Sequence, residues 1–213
     1  VNRYLEISSA SWHRSRLCVV SSTDGCTSGT LYVNNHREKK EVFMREIVVV
    51  QYNEKWPEMF EAESFLIQSL LGDVVRNVYH IGSTSVPGLP AKPVIDILLE
   101  VTDLNQLDQC NSAMANAGYV ARGENGIAGR RFFIKGGDLR SHHVHAFSAG
   151  DIQIPRHLAF RDYLRKNTDI AGEYAEIKRE AALRCENDAQ YYSALKADFI
   201  THHLQLALTE LER

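Results

Sequence analysis

The chain has 213 residues, 44% of them hydrophobic and 24% charged, a globular balance that excludes collagen-like, coiled-coil and wholly disordered readings. A formal charge of −3 provides no broad basic field for nucleic acid or an anionic membrane. The longest apolar run, Val94 to Leu99, is broken by Asp96 and falls far short of the about 20 residues that a bilayer span needs. Neither nucleic acid nor a membrane is therefore an expected partner, and a cytoplasmic setting is expected.

The first 43 residues differ from the rest. They hold seven of the fifteen serines and none of the five prolines, and their charges sum to +2, which leaves −5 on residues 44–213. Their apolar residues follow no sustained period, and no apolar stretch of a secretory signal is present. Met44 precedes a clear strand pattern, and Lys40-Glu41-Val42 is what a purine-rich ribosome-binding sequence gives when read in frame. Residues 1–43 are thus expected to be a non-native or disordered extension, and the folded domain to occupy 44–213.

Val48 to Gln51 predicts a short strand, and Trp56-Pro57 opens a helix, with proline at a first-turn position where its missing N–H is no loss. Met59, Phe60, Leu66, Ile67, Leu70 and Leu71 give that helix an apolar stripe up to Gly72. Strands are predicted over Val74–Ile81 and Val94–Val101, separated by a Gly/Pro-rich turn. Asp103 caps a helix running to about Ala117. Tyr119–Ala121, Arg131–Lys135 and His142–Phe147 read as short strands between glycine-punctuated turns. From Pro155 the period becomes helical: 155–166, Ile170–Cys185 and Asp188 to about Leu211. In the last, Tyr192, Leu195, Phe199, His203 and Leu206 form the expected core stripe, and adjacent His202 and His203 must diverge. The pattern predicts an α+β domain, a mixed sheet with early helices followed by a C-terminal helical layer.

The densest chemical signal is His80-Ile81-Gly82-Ser83-Thr84-Ser85-Val86-Pro87-Gly88, followed by Lys92-Pro93-Val94-Ile95-Asp96. A strand ending in Gly-Ser turns sharply, and the N–H groups and hydroxyls of Gly82, Ser83, Thr84 and Ser85 are suited to phosphate. This is no P-loop: five residues, not four, separate Gly82 from Gly88, and Leu89 follows where lysine belongs. An ordinary turn explains the glycines equally well. Asp96 shifts the balance, because a carboxylate in an apolar strand is costly unless paired or metal-bound. Strand alternation puts His143 and His145 on one face and His142 on the other. If the former pair faces Asp96, they form a His/His/carboxylate set for a divalent metal, Mg, Mn or Zn, or a general base. Lys92, Arg131 and Arg161 are further candidates for contacting a phosphate or neutralising charge, as are Arg130 and Arg156.

The segments MREIVVVQYNEKWPEMF, HIGSTSVPGLPAKPVIDI, SHHVHAF and RHLAFRDYLR resemble the GrpB family (UPF0157), within the polymerase-β-like nucleotidyltransferase superfamily, across residues 44–213. The resemblance implies the nucleotidyltransferase core fold. Some relatives carry the domain fused to dephospho-CoA kinase, which associates it with nucleotide or cofactor chemistry. Active nucleotidyltransferases carry Asp-x-Asp or Asp-x-Glu on the strand; here position 98 is Leu98, and Glu100 lies roughly 13 Å beyond Asp96. The expected activity is metal-dependent transfer of a nucleotidyl or phosphoryl group from a nucleotide or phosphorylated metabolite to a small acceptor. The alternative is a non-catalytic binding module of the same fold. No protein partner is legible.

Overall fold

The computed structural model describes residues 46–211; the extension over 1–43 and the start at Met44 lie outside the described residues. Helix α1 (Trp56–Leu71) starts at the Trp-Pro pair and stops at Gly72, whose φ of 52° a side chain tolerates poorly. Strands β1 (Val75–Ile81) and β2 (Ile95–Val101) flank the Gly-Ser turn. Helices α2 (Leu104–Gln109) and α3 (Asn111–Asn116) follow, then strands β3 (Tyr119–Ala121), β4 (Arg131–Lys135) and β5 (His142–Ser148). The chain ends in α4 (Gln153–Lys166), α5 (Thr168–Arg184), α6 (Ala189–Ala194) and α7 (Ala197–Leu211).

The five strands form one mixed sheet in the order β1-β2-β5-β4-β3, with β2 and β5 parallel and every other pair antiparallel. Parity divides its two faces. Ile95, Ile97, Leu99 and Val101 of β2, with Val144 and Ala146 of β5, pack under Trp56, Phe60, Ile67 and Leu71 of α1. Burying each of these α1 side chains contributes roughly 1.5–3 kcal/mol. Leu98 and Phe147 face the other way, against Ile81 and Ile154 of α4. Covered on both faces, β2 reads as a mostly apolar run, interrupted by Asp96 and, near its end, by Glu100.

The C-terminal layer closes over the turn after β1. Val86 and Leu89 pack with Leu164 of α4 and with Ala171, Tyr174 and Ala175 of α5. Ile47 joins Ala181, Cys185 and Tyr192 in a separate cluster.

Five expectations need correction. The strand over 48–51 reduces to one bridge, Val50 with Ala91, because only that residue pairs, through two 2.9 Å bonds. The helix from Asp103 breaks at Cys110, where the chain tightens into an i→i−3 bond to Leu107. The last helix breaks at Leu195–Lys196, where the Lys196 N–H reaches back only to Ser193. Within α7 the buried face runs through His203 and Ala207, four residues apart, and Leu206 is 41% exposed. Met59, assigned to the α1 stripe, also faces solvent. As expected, His203 is buried and His202 exposed.

Candidate functional site

Asp96 and His143 are register partners on the parallel strands β2 and β5, so their side chains leave the sheet on the same face, toward α4. His143 Nδ1 lies 3.1 Å from Asp96 Oδ1 and His145 Nε2 3.9 Å from the same oxygen. Burial alone would raise the Asp96 pKa. The hydrogen bonds and charge of His143 and His145 outweigh it and hold the carboxyl well below the usual range. An ionised carboxylate only accepts, so His143 carries its proton on Nδ1; its Nε2 is buried and has no hydrogen-bond partner.

His145 is fixed in the opposite tautomer. Its Nδ1 is 3.3 Å from Arg130 Nη1, and a guanidinium only donates, so Nδ1 accepts and Nε2–H faces Asp96. Burial lowers the His145 pKa despite Asp96, and burial likewise holds His157, 5.6 Å away ring to ring, down to about 4. This bears on the expected metal set. The three side chains do converge, but Asp96 is engaged by His143, and His145 presents a proton where a metal needs a lone pair. Among the described residues no group of three or more His, Cys, Asp or Glu is arranged to hold a metal ion. The arrangement as it stands does not fit a divalent ion.

Gly82 fits this carboxylate by necessity. Its φ is 69°, and a Cβ built on it would stand 2.5 Å from Asp96 Oδ2 and 3.0 Å from Asp96 Cβ. A side chain there would displace Asp96. The turn that follows is held on both sides by α4: Arg161 donates to the His80 carbonyl at 3.1 Å, and Arg165 donates twice to the Ser85 carbonyl at 2.8 and 3.0 Å. Within it, Ser85 Oγ donates to the Gly82 carbonyl at 2.6 Å, and Thr84 Oγ1 lies 3.0 Å from His80 Nε2. His80 is stacked on Phe60, and burial lowers its pKa to about 4.

Beside Asp96 opens a cavity of about 170 Å³. Gly82, Ser83, Thr84, Lys92, Asp96 and His143 line it, all six foreseen from the sequence. The opposite wall comes from the C-terminal helices and was not foreseen: Tyr174 and Lys178 of α5, Tyr192 of α6, and Lys196 at the α6–α7 break. Lys178, 2% exposed, donates to the Pro90 carbonyl and lies 4.7 Å from the Tyr174 ring centre. Lys92 and Lys196 stand 4.5 and 4.2 Å from the ring centre of Tyr192. Burial, then the neighbouring Lys196 and Arg179, push Lys178 down to about 7; burial and Lys92 push Lys196 down to about 8, with Asp96 opposing. One signal for this wall was available. In α5 the buried positions Ala171, Tyr174, Ala175, Lys178 and Ala181 form the inward stripe, and a lysine inside an apolar stripe is unusual.

None of the four candidate arginines, Arg130, Arg131, Arg156 and Arg161, lines the cavity. Arg131 falls on the α1 face by parity, paired with Asp108 of α2 through contacts of 2.7, 2.8 and 3.0 Å. Its predecessor Arg130 sits on the Asp96 side, bonding His145 and the carbonyls of Glu124 and Asn125. Arg161 serves the turn and pairs with Asp162, and is not a lining residue. No helix among the described residues is long and apolar enough to cross a membrane.

A family model described as "GrpB protein" matches residues 46–206. The chain is similar to UPF0157 protein YqkA of Bacillus subtilis, 44% identical over 156 residues that cover 73% of this chain and 46% of YqkA, so it spans less than half of that relative. The crystal structure of conserved protein GrpB from Enterococcus faecalis matches with a TM-score of 0.74 and 38% identity, covering 78% of this chain and 100% of that one. A dephospho-CoA kinase of Mycolicibacterium paratuberculosis is 25% identical over 182 residues, 74% of this chain and 45% of the kinase.

Proposed function

The chain belongs to the GrpB family, and from that premise we propose that it binds the phosphates of a nucleotide or phosphorylated metabolite in the cavity beside Asp96 and transfers a nucleotidyl or phosphoryl group to a small acceptor. The observation that carries this reading is the convergence of Lys92, Lys178 and Lys196 with the Gly82–Ser83 turn and a single carboxylate on one cavity. Ammonium groups fixed in a site of restricted solvent neutralise the charge that builds on a transferring phosphoryl group, and they need no reorganisation to do so. The Asp96–His143 pair supplies the proton acceptor: Asp96 accepts from Nδ1–H, which leaves Nε2 as the basic atom of the ring. The dephospho-CoA kinase similarity is in keeping with a phosphorylated ligand.

Leu98, fully buried where a second acid would complete a two-metal site, favours a second reading, a module that binds the same ligand without turnover. One experiment separates the two. The whole chain and its Asp96→Asn variant are screened by thermal shift against nucleoside triphosphates and phosphorylated cofactors, each with Mg²⁺, Mn²⁺, Zn²⁺ or chelator, and the hits are assayed for turnover. Binding at 100 times Kd adds about 2.7 kcal/mol, a shift of a few degrees. The proposal expects a shift that survives chelation, and turnover lost in Asp96→Asn. A shift without turnover gives the binding module, and no shift with any phosphate compound refutes both readings.

A further inference from the structure

Three lysines line the cavity, and they are not held alike. Lys178 is 2% exposed and donates to the Pro90 carbonyl, so its nitrogen is both enclosed and engaged. Lys92 shares the Tyr192 ring with Lys196 and is engaged as well. Lys196 is half-buried at the α6–α7 break, open enough for a small reagent to reach. Among the described residues its Nζ has no carboxylate or carbonyl partner; the ring of Tyr192, with its centre 4.2 Å away, is what holds it. The charged groups around it are the like charges of Lys92 and Lys178 and one carboxylate, Asp96, which already accepts from His143. An ammonium so placed gives up its proton more readily than one in water, and burial with Lys92 brings Lys196 down to about 8. At pH 8 about half of it then carries a free lone pair, against less than about 1% for an ordinary lysine. A desolvated amine beside other cations is how lysine becomes a nucleophile.

We infer that Lys196 is a nucleophilic lysine, and that the donor the cavity presents to it is an acyl phosphate. The nucleophile follows from how Lys196 is held; the donor rests on the phosphate-binding reading above. At about 170 Å³ the cavity lies below the roughly 300–1,000 Å³ of sites that enclose a whole small ligand. An electrophilic carbon must therefore sit close to the phosphate, and in an acyl phosphate a single oxygen separates carbon from phosphorus. In the step the neutral Nζ attacks the acyl carbon, a C–N bond forms, and the bond from that carbon to the bridging oxygen breaks. Inorganic phosphate leaves with the bonding pair, and the surplus proton on nitrogen passes to water. The product is an uncharged amide, so each transfer removes an ammonium from the wall and weakens the site for the next phosphate.

The test is acetylation of the whole chain at pH 8 with acetyl phosphate and, separately, with the uncharged ester N-acetoxysuccinimide, the rate at each lysine being read by peptide mass spectrometry. Lys55 and Lys166, both exposed, serve as internal standards. Lys196 should be acetylated at least about tenfold faster than either, with both reagents. Excess pyrophosphate should slow acetyl phosphate at Lys196 and leave Lys55 unchanged. In concentrated urea the preference should disappear, since it belongs to the folded cavity. A Lys196 rate no higher than that of Lys55 with the ester, or a preference that survives urea, overturns the nucleophile. A preference seen with the ester alone, or one with acetyl phosphate that pyrophosphate does not reduce, overturns the donor and counts against the phosphate-binding reading, while the nucleophile stands.

Discussion

Two partly or fully buried carboxylates stand on opposite faces of one sheet, and the same run, Ser141-His142-His143-Val144-His145, serves both. On the α1 face Glu63 is 8% exposed and its Oε1 is doubly engaged: Tyr119 Oη donates at 2.8 Å and Lys135 Nζ at 2.7 Å, while His142 Nε2 lies 3.9 Å from Oε2. On the α4 face Asp96 has one close partner, His143, and opens onto a cavity lined with lysines. Glu63 is enclosed by its counter-charges, whereas Asp96 is left with groups that repel one another. The contrast separates polarity that holds a sheet to its helix from polarity kept available for a ligand.

The comparison can be broken from either side. The largest effect is expected from Glu63→Ala, which strands Lys135 and the Tyr119 hydroxyl and should destabilise the fold by about 3–5 kcal/mol in urea titration while sparing ligand contacts. Acid acts on both faces. His80 and His157 are held down to about 4, so between pH 6.5 and 4 the unfolded chain takes up protons that the folded one refuses. Stability from these groups is therefore complete above pH 6.5 and falls as pH drops through the window, by up to about 3 kcal/mol per histidine, read as denaturation midpoints against pH. Gly82→Ala tests the Asp96 side alone. It should cost about 2 kcal/mol, from the positive φ and the displaced carboxylate, and abolish phosphate binding. Asp96→Asn keeps an amide oxygen that accepts from His143 but gives up the charge its histidine partners stabilise, so it should cost about 1–3 kcal/mol, less than Glu63→Ala, and abolish turnover. Arg165→Gln removes two bonds to the Ser85 carbonyl and should cost about 1 kcal/mol with weaker ligand binding. A loss for Asp96→Asn as large as that for Glu63→Ala would erase the distinction between the faces.

Much of this was legible because it depends on short periods. Alternation along β5 assigned His143 and His145 to one face and His142 to the other, and the Trp-Pro start and Gly72 bounded α1. The same parity puts Arg131 on the face opposite Asp96 and leaves Arg130 on the Asp96 side. The far wall was not legible, because Lys178 and Lys196 lie 82 and 100 residues after Asp96 and reach it only through packing of the helical layer. Lys196 also depends on a helix break made by a single i→i−3 bond, which no proline or glycine marks in the sequence.

The distribution of cavity residues along the chain has a consequence for synthesis. Gly82, Lys92, Asp96 and His143 emerge from the ribosome well before Lys178, Tyr192 and Lys196, so a nascent chain long enough to form the sheet still lacks the helical wall of the cavity. A chain cut short after the sheet would carry the acid and Lys92 without the two lysines that stand opposite them.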